Sequence, residues 1–137
     1  RLLQVRTLSA GTSIGYNATH VCPDVTTVGT ISIGYADGYL RAFSSKGSAH
    51  YGDVALPVLG RVSMDLVTID VTEVPEAASQ PGDLVEVLGA NVTPDDVAEW
   101  ARTNGYEIMT ALGRRYHRSY VEGRGDAPGE DAVGEEA

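Results

Sequence analysis

Two tyrosines stand in sequence contexts that could support acid–base chemistry. Tyr16 and Tyr35 each follow a glycine, and a turn-forming asparagine or aspartate stands one or two positions later. This context predicts a ring that projects from the end of a strand. A phenol has an ordinary pKa of about 10, so it acts as a general base only where cations or hydrogen bonds stabilise its phenolate. On this pattern alone the plainer interpretation is preferred, namely aromatic residues at a barrel rim whose hydroxyls bind backbone groups.

Other reactive arrangements are missing from the sequence. The three histidines, His20, His50 and His117, do not have metal-ligand spacing, so no metal site is predicted. No serine stands in a nucleophile elbow, and no glycine-rich phosphate-binding loop opens a helix. Cys22 is the only cysteine, which excludes an internal disulfide and fits a reducing cytoplasm. We predict that Cys22 is a small, partly buried apolar residue.

Charge and hydropathy argue against two classes of function, nucleic-acid binding and insertion into a membrane. The net charge is −9, and no basic stripe offers itself to a phosphate backbone, so nucleic-acid binding is not expected. Every apolar run is shorter than the roughly 18 residues of a membrane span, and no signal-peptide pattern is present. These observations predict a soluble, cytoplasmic protein that does not enter a membrane.

The elements that must position the tyrosines are mostly short β-strands separated by Gly, Asp and Asn turns. A helix is predicted to begin after Thr93 as N-cap, with Pro94 in its first turn and Gly105 as C-cap. A second helical stretch is predicted at residues 107–112. The predicted strands are residues 3–8, 25–35, 54–59, 66–71, 84–88 and 114–121. The sequence therefore predicts a mainly β fold, a β-barrel or sandwich-like domain with one or two short helices late in the chain.

The sequence divides into a domain of residues 1–120 and a tail of residues 121–137. The tail holds six acidic residues and one arginine among Gly, Ala and Pro, a composition that predicts disorder. The chain begins at Arg1 and not at a methionine, so we expect it to be a piece of a longer protein.

Four ordered blocks of sequence carry a resemblance to a known family. They are GYNAT at residues 15–19, IGYADGY at 33–39, GRVSMD at 60–65 and NGYEI at 104–108. In this order and at these distances they resemble the C-terminal β-domain of the alanine racemases, which depend on pyridoxal 5′-phosphate. Asn17 replaces a glycine that is usual in the first block, but asparagine also tolerates a positive φ, so the turn can survive.

The resemblance implies a role for each matched residue. Tyr16 would be the general base that takes or returns the α-proton on one face of the substrate. Met64 would contact the substrate carboxylate through its backbone N–H, and Tyr106 would lie against the cofactor phosphate. Four further residues would line a narrow access channel to the site: Tyr35, Arg41, Arg61 and Asp65. Without the resemblance, Met64 could equally fill the core, and Arg61 and Asp65 could form a surface pair of little energetic weight.

The resemblance also implies partners. In these enzymes a lysine of an N-terminal (β/α)8 barrel holds the cofactor and serves as the second base. The only lysine here is Lys46, in a polar Gly/Ser loop outside the matched blocks, so the cofactor should be held mainly by a barrel that this sequence lacks. The family forms a head-to-tail homodimer, so Tyr16 would act in trans on the partner subunit's site. The chain alone is therefore expected to be inactive.

Two alternatives stay open at this stage. The chain could be a non-catalytic β-barrel that serves as an assembly or binding module and keeps the family motifs as scaffold. It could also belong to a racemase with broader substrates than alanine, such as serine or lysine.

Overall fold

The computed structural model describes residues 1–15, 17 and 19–121, and the prediction for the acidic tail lies outside these residues except at Val121. The described elements are short strands followed by two helices, so the mainly β fold with late helices is confirmed. The strands are β1 (Leu2–Leu8), β2 (Ser13–Ile14), β3 (His20–Val21), β4 (Thr26–Ile31), β5 (Ser48–Tyr51), β6 (Val54–Pro57) and β7 (Val67–Asp70), and the helices are α1 (Pro94–Ala101) and α2 (Gly105–Ala111).

The largest sheet is antiparallel and has the strand order β1–β4–β7. Strand β4 lies in the middle, where Val28 and Ile31 are buried and Ile31 pairs with Val67 of β7. β-branched residues suit such a pleated, packed surface, which explains why this stretch forms the central strand. The other described strands form two hairpins, β2–β3 and β5–β6, so the described strands make three small sheets.

The main core lies between the central sheet, the β5–β6 hairpin and the two helices. Its aromatic part is a chain of edge-to-face contacts in which Phe43 is 4.9 Å from Tyr39 and 5.6 Å from Trp100, between ring centroids. Such pairs contribute about 0.5–1.5 kcal/mol beyond the area they bury. A smaller cluster packs under the β2–β3 hairpin and contains Ile14, Val28, Leu59 and Cys22, which is fully buried and free. The small apolar role predicted for Cys22 agrees with this placement.

The start of α1 follows its predicted signals, but its end does not. Thr93 Oγ1 accepts a hydrogen bond from Asp96 N at 3.2 Å, and Asp96 Oδ2 accepts one from Thr93 N at 2.9 Å. The helix ends earlier than predicted, at Arg102, which has a left-handed backbone with φ of 55°. Gly105 is therefore not a C-cap but the first residue of α2. Asn104 Oδ1 caps α2 by accepting from Glu107 N at 3.0 Å, and this cap decides the boundary.

Two predicted strands are wrong, and the strand predicted at residues 25–35 is much shorter than predicted. Residues 84–88 contribute only an isolated bridge between Glu86 and His50, because the Glu86 carboxylate turns the chain by accepting from the backbone of Asn91 and Val92. Residues 114–121 form no described strand, since their side chains and not their backbone make the contacts detailed below. Strand β4 ends at Ile31, and residues 35–37 form a 3-10 turn.

No helix among the described residues is both long enough and apolar enough to span a membrane.

A buried hydroxyl in the aromatic chain generates a stability prediction. The Tyr39 hydroxyl is buried and has no hydrogen-bond partner among the described residues, and burial raises the pKa of this phenol. An unpaired buried polar group costs about 1–3 kcal/mol. We therefore expect Tyr39→Phe to leave the free energy of unfolding unchanged or to raise it by about 1 kcal/mol, as measured by urea titration.

The matched control is Tyr116→Phe, which removes a hydroxyl that donates to the Asp37 carbonyl oxygen at 2.7 Å. This control is expected to lose about 0.5–1.5 kcal/mol. A Tyr39→Phe variant that loses as much as Tyr116→Phe would contradict the prediction.

Candidate active site

Residues 60–65, which we call the 60–65 segment, are the place where the predicted site residues gather. The segment connects the β5–β6 hairpin to β7. The Val62 side chain is buried in the main core, while Arg61, Met64 and Asp65 are exposed. The buried Val62 side chain thus anchors the segment and leaves Arg61, Met64 and Asp65 at the surface, where other parts of the chain bind the backbone of the segment.

The loop that contains Tyr16 lies beside the start of this segment. Tyr16 itself lies outside the described residues, but Ile14 pairs with His20 across the hairpin and closes the loop around it. A β-carbon at Gly60 would lie 3.2 Å from Thr19 Oγ1 and 3.5 Å from the Ile14 carbonyl oxygen. Both ends of the Tyr16 loop are therefore placed next to the 60–65 segment, while the role of Tyr16 stays a prediction.

The turn expected after Tyr16 is present. Asn17 has a φ of 63°, in the left-handed region that asparagine tolerates better than most residues. The replacement of the usual glycine at this position is therefore compatible with the backbone path.

A 3-10 turn at Arg41–Phe43 binds the segment from another side. Phe43 buries its ring in the core, and Arg41 is exposed. Directly after this turn, Ser44 Oγ accepts from Val62 N at 2.8 Å, and Ser45 N donates to the Gly60 carbonyl at 2.9 Å. These two bonds place the Arg41 turn against the same backbone that borders the Tyr16 loop.

Tyr35 and Met64 are brought together by a short backbone ladder. Tyr35 N donates to the Ser63 carbonyl at 3.0 Å, and Ala36 N donates to the Met64 carbonyl at 3.1 Å. The approach is so close that a β-carbon at Gly34 would overlap the backbone of Ser63 and Met64, which explains the glycine before Tyr35. Tyr35 and Met64 are 42% and 51% exposed, so neither is a core residue and the core-filling interpretation of Met64 is wrong.

The Met64 backbone keeps an available donor. Ser63 Oγ closes the turn around Met64 by donating to the Leu66 carbonyl at 2.8 Å and accepting from Leu66 N at 3.1 Å. The N–H of Met64 has no acceptor among the described residues. A backbone N–H without an acceptor among the described residues can bind a carboxylate oxygen.

The strongest polar contact of the site involves two residues that the sequence analysis did not assign. The Asp37 carboxylate is buried and pairs with Arg115. Arg115 Nε donates a hydrogen bond to Asp37 Oδ1 at 2.7 Å, and Arg115 Nη2 donates one to Oδ2 at 2.9 Å. Gly34 N adds a bond to Oδ2 at 3.1 Å. The hydrogen bonds from Arg115 lower the pKa of Asp37, and they outweigh the opposing effect of burial. Asp37 is therefore ionised when it holds Arg115.

The third nitrogen of the same guanidinium, Nη1, contacts the 60–65 segment. Arg115 Nη1 donates to Asp65 Oδ1 at 2.8 Å, so Asp65 pairs with Arg115 and not with Arg61 as a local surface pair. A cavity of about 320 Å³ opens at this contact. Its lining consists of Ser32, Asp37, Asp65, Arg115 and Tyr116. The backbone of Asp37 is fixed as well, because its carbonyl accepts from Gly113 N at 3.1 Å and from the Tyr116 hydroxyl.

Tyr106 is the predicted site residue that stands apart. It lies in the first turn of α2 and is 86% exposed. The other end of this helix, at Ala111, packs so tightly on Gly38 that a β-carbon there would overlap the Ala111 carbonyl, and Gly38 has a φ of 87°. At 1.5 Å per residue, Tyr106 lies roughly 7 Å along the helix axis from this contact. It is thus connected to the site through α2.

Comparison with known proteins identifies the family. The family model described as "Alanine racemase, C-terminal domain" matches residues 1–120. The chain belongs to this family. The resemblance inferred from the four sequence blocks is therefore confirmed.

Individual relatives agree with this result. The alanine racemase of Brucella ovis is 48% identical over 121 residues, which cover 88% of this chain and 31% of that protein. A catabolic alanine racemase of Rhizobium johnstonii is 48% identical over 119 residues, covering 87% of this chain and 32% of that protein. The solved alanine racemase of Bartonella henselae, with covalently bound pyridoxal phosphate, has a TM-score of 0.83 at 38% identity, over 88% of this chain and 33% of its own. The chain thus spans about a third of the length of these relatives.

Sequence reasoning missed three members of the site in this alanine racemase domain. Asp37 belongs to the block IGYADGY, and an acid inside a matched block was a signal that could have been used. Arg115 and Tyr116 stand in the stretch that was interpreted as a closing strand, and their arginine-rich surroundings were the available sign. In the described part of the chain, no three His, Cys, Asp or Glu side chains form a group that could hold a metal ion.

The buried carboxylate generates a prediction about stability and pH. Replacing Asp37 by Asn removes the charge from three hydrogen bonds, so near pH 7 the free energy of unfolding should fall by about 1–3 kcal/mol. Because the folded-state pKa of Asp37 is lowered, its stabilisation is complete above about pH 4 and is lost as the pH falls through the folded-state value. Urea titrations from about pH 7 to about pH 3 should therefore show the wild-type advantage shrinking below about pH 4.

The control is Asp53→Asn, which removes the same charge from an exposed turn between β5 and β6. Its effect should stay within about 0.5 kcal/mol at every pH. An advantage of wild type over Asp37→Asn that stays constant down to about pH 3 would refute the assignment.

Proposed function

We propose that this chain is the C-terminal part of an enzyme that interconverts L- and D-alanine with the help of pyridoxal 5′-phosphate. The observation that carries this proposal is the convergence, around one segment, of the Tyr16 loop, Tyr35, the free N–H of Met64 and Asp65 in a chain of the alanine racemase family. Residues 1–120 would form the domain concerned, and residues 121–137 an acidic extension.

The residues present suit a supporting role toward the cofactor. Tyr106 offers an exposed hydroxyl that can donate to a phosphate oxygen. When bound, pyridoxal 5′-phosphate draws electrons from the Cα–H bond of an amino acid. The only lysine, Lys46, is exposed in the turn after Arg41–Phe43, so we assign the cofactor's lysine to an N-terminal (β/α)8 barrel. The chain's length, about a third of its relatives', supports this division.

Tyr16 would move the proton on one face of the substrate. Its phenolate oxygen would take the proton from Cα of one enantiomer and return a proton to Cα in the opposite direction of the reaction. The phenolate must be stabilised by a nearby cation to do this at neutral pH. Arg61 is exposed, and its backbone N is 3.8 Å from where a β-carbon would stand at Gly15, so we assign its guanidinium as the candidate for this cation.

The other site residues would select and orient the substrate. The free N–H of Met64 would bind the carboxylate, which places Cα and its hydrogen with respect to Tyr16. Four residues would line the access channel and restrict the size of the side chain that can enter: Tyr35, Arg41, Arg61 and Asp65.

A second subunit would complete the site. Tyr35, Met64, Tyr106 and Met109 expose large apolar surface, each at 42% or more. Adjacent exposed apolar residues mark a surface that packs against another protein, and two such pairs are present, Tyr35 with Met64 and Tyr106 with Met109 on α2. We assign that surface to the barrel of a partner subunit in a homodimer, so that Tyr16 acts in trans.

A tyrosine substitution tests the proposed base. In the full-length enzyme, Tyr16→Phe should retain pyridoxal 5′-phosphate, measured by absorbance, but lose about 10²–10⁴-fold in racemisation rate, because a positioned base contributes about that factor. The α-hydrogen of one enantiomer should still exchange with solvent deuterium, since the lysine serves the other face. The kcat/KM should fall equally in both directions, because the two enantiomers have the same free energy. Tyr51→Phe, an exposed tyrosine of β5, is the control and should be normal.

The same assay separates the alternatives. Normal rates of Tyr16→Phe in both directions would defeat the assignment of Tyr16. Absence of any racemisation in the complete wild-type protein would favour a non-catalytic module, and equal rates with serine or lysine would favour a broader racemase.

A second substitution tests the contact to the cofactor phosphate. Tyr106→Phe should weaken the affinity of the full-length apoenzyme for pyridoxal 5′-phosphate by about threefold to tenfold, because one hydrogen bond to an anion is lost. The thermal midpoint of the apoenzyme should not change, since no described residue pairs with this hydroxyl. Tyr120→Phe, which is 91% exposed, is the matched control. Equal affinity of Tyr106→Phe and wild type in an absorbance titration would remove Tyr106 from the site.

A further inference from the structure

We propose that Arg115 is a positioning residue that holds the Met64–Asp65 turn in place for the carboxylate of the substrate. This inference rests on the proposed function of Met64, which it deepens by naming the group that keeps the Met64 N–H oriented. Arg115 does not itself touch the reacting atoms.

The argument begins at the buried end of the contact. Asp37 is held through both its side chain and its backbone, because its carboxylate accepts from Gly34 N and its carbonyl accepts from Gly113 N and the Tyr116 hydroxyl. Arg115 binds this fixed carboxylate with two parallel donors, the geometry that gives an arginine–carboxylate pair its directional strength. The guanidinium is therefore held in one orientation although half of the Arg115 side chain is exposed.

The third donor of the same guanidinium points at the surface turn. Nη1 holds Asp65 Oδ1 at 2.8 Å, and the Asp65 side chain is otherwise 55% exposed. Asp65 follows Met64 directly, so their shared peptide group is fixed from both sides. The Met64 carbonyl is held by Ala36 N, and the Asp65 carboxylate is held by Arg115.

These contacts form a ladder with three rungs between residues 35–37 and 63–65. The first two rungs are backbone hydrogen bonds, from Tyr35 to Ser63 and from Ala36 to Met64. The third joins Asp37 to Asp65, and it exists only because Arg115 lies between them. Without the guanidinium, two carboxylates of like charge would face each other at the end of the ladder. The turn would then open at the residue next to the substrate-binding N–H.

The requirement is for arginine and not only for positive charge. The planar guanidinium offers its donors in a rigid fork, so it can satisfy two oxygens of Asp37 and one of Asp65 together. A lysine ammonium is a compact charge on a flexible side chain, and it cannot form the two parallel hydrogen bonds that the guanidinium makes to the Asp37 carboxylate. Arg115→Lys should therefore keep the charge but lose part of the positioning.

The test uses the full-length enzyme loaded with its cofactor and compares Arg115→Gln with Arg115→Lys and Arg114→Gln. Arg114 is the matched control, because it is the exposed neighbour in sequence and has no ion pair among the described residues. Kinetics are measured at a temperature where circular dichroism shows each variant to be folded. Binding is measured separately by calorimetry with propionate, which has the carboxylate and the carbon chain of alanine but no amino group.

We expect Arg115→Gln to raise KM for alanine and Kd for propionate by about tenfold, the loss of one well-formed contact, while kcat changes by less than about threefold. Arg115→Lys should fall between wild type and Arg115→Gln, and Arg114→Gln should stay within about twofold of wild type in each constant. Cofactor absorbance should be the same in all four proteins.

Two results would overturn the proposal. One is a KM and a propionate Kd of Arg115→Gln that match those of Arg114→Gln. The other is a parallel fall of kcat and cofactor content, which would make Arg115 a residue of general structural importance only. If Arg115→Gln does not fold, Arg115→Lys decides alone, with at least a threefold rise in both constants expected and an unchanged pair refuting the inference.

The outcome is separable from the proposed function. If Tyr16→Phe abolishes racemisation while Arg115→Gln binds propionate normally, the proposed function stands and the role of Arg115 falls. If Tyr16→Phe racemises normally, the assignment of the base falls, and the propionate measurement still reports on Arg115 by itself.

Discussion

The buried carboxylate of Asp37 needs several hydrogen-bond donors, and because these donors come from distant parts of the chain, they join those parts together. A charge taken out of water is tolerated only where it is paired and hydrogen-bonded. Asp37 meets this condition with Gly34 from its own turn and with Arg115 from the end of the domain. Its carbonyl, bound by Gly113 and Tyr116, ties the residues after α2 to the same point. The geometry of the candidate site follows from this constraint.

The candidate site lies at the surface of this chain. The 60–65 segment presents Met64, and the neighbouring 3-10 turn presents Tyr35, but both side chains face solvent in the isolated domain. The chain covers about a third of its relatives in the alanine racemase family, and its only lysine lies in an exposed turn. Exposed apolar side chains therefore lie beside a backbone N–H, that of Met64, which has no acceptor among the described residues.

Sequence patterns predicted the family and the β-rich fold, but they did not predict how the parts are joined. The cap at Thr93 follows local rules, because its hydrogen bonds involve residues only three positions apart. The boundary near Gly105 was misjudged because glycine after a helix and glycine at the start of one look alike until Asn104 is seen to cap α2. The stretch 114–121 is predicted as a closing strand, yet Arg115 and Tyr116 bind Asp37 with their side chains.

The sequence by itself determined the family, the residue types available for chemistry and the presence of a single lysine, because these depend only on which residues occur and in what order. Only the tertiary structure decided which of them meet. Asp37 and Arg115 are far apart in the chain, and no local propensity brings them together. Their pairing arises because the turn at Gly34 must pack on the backbone of Met64, and because a buried carboxylate must find its counter-charge wherever the fold supplies one.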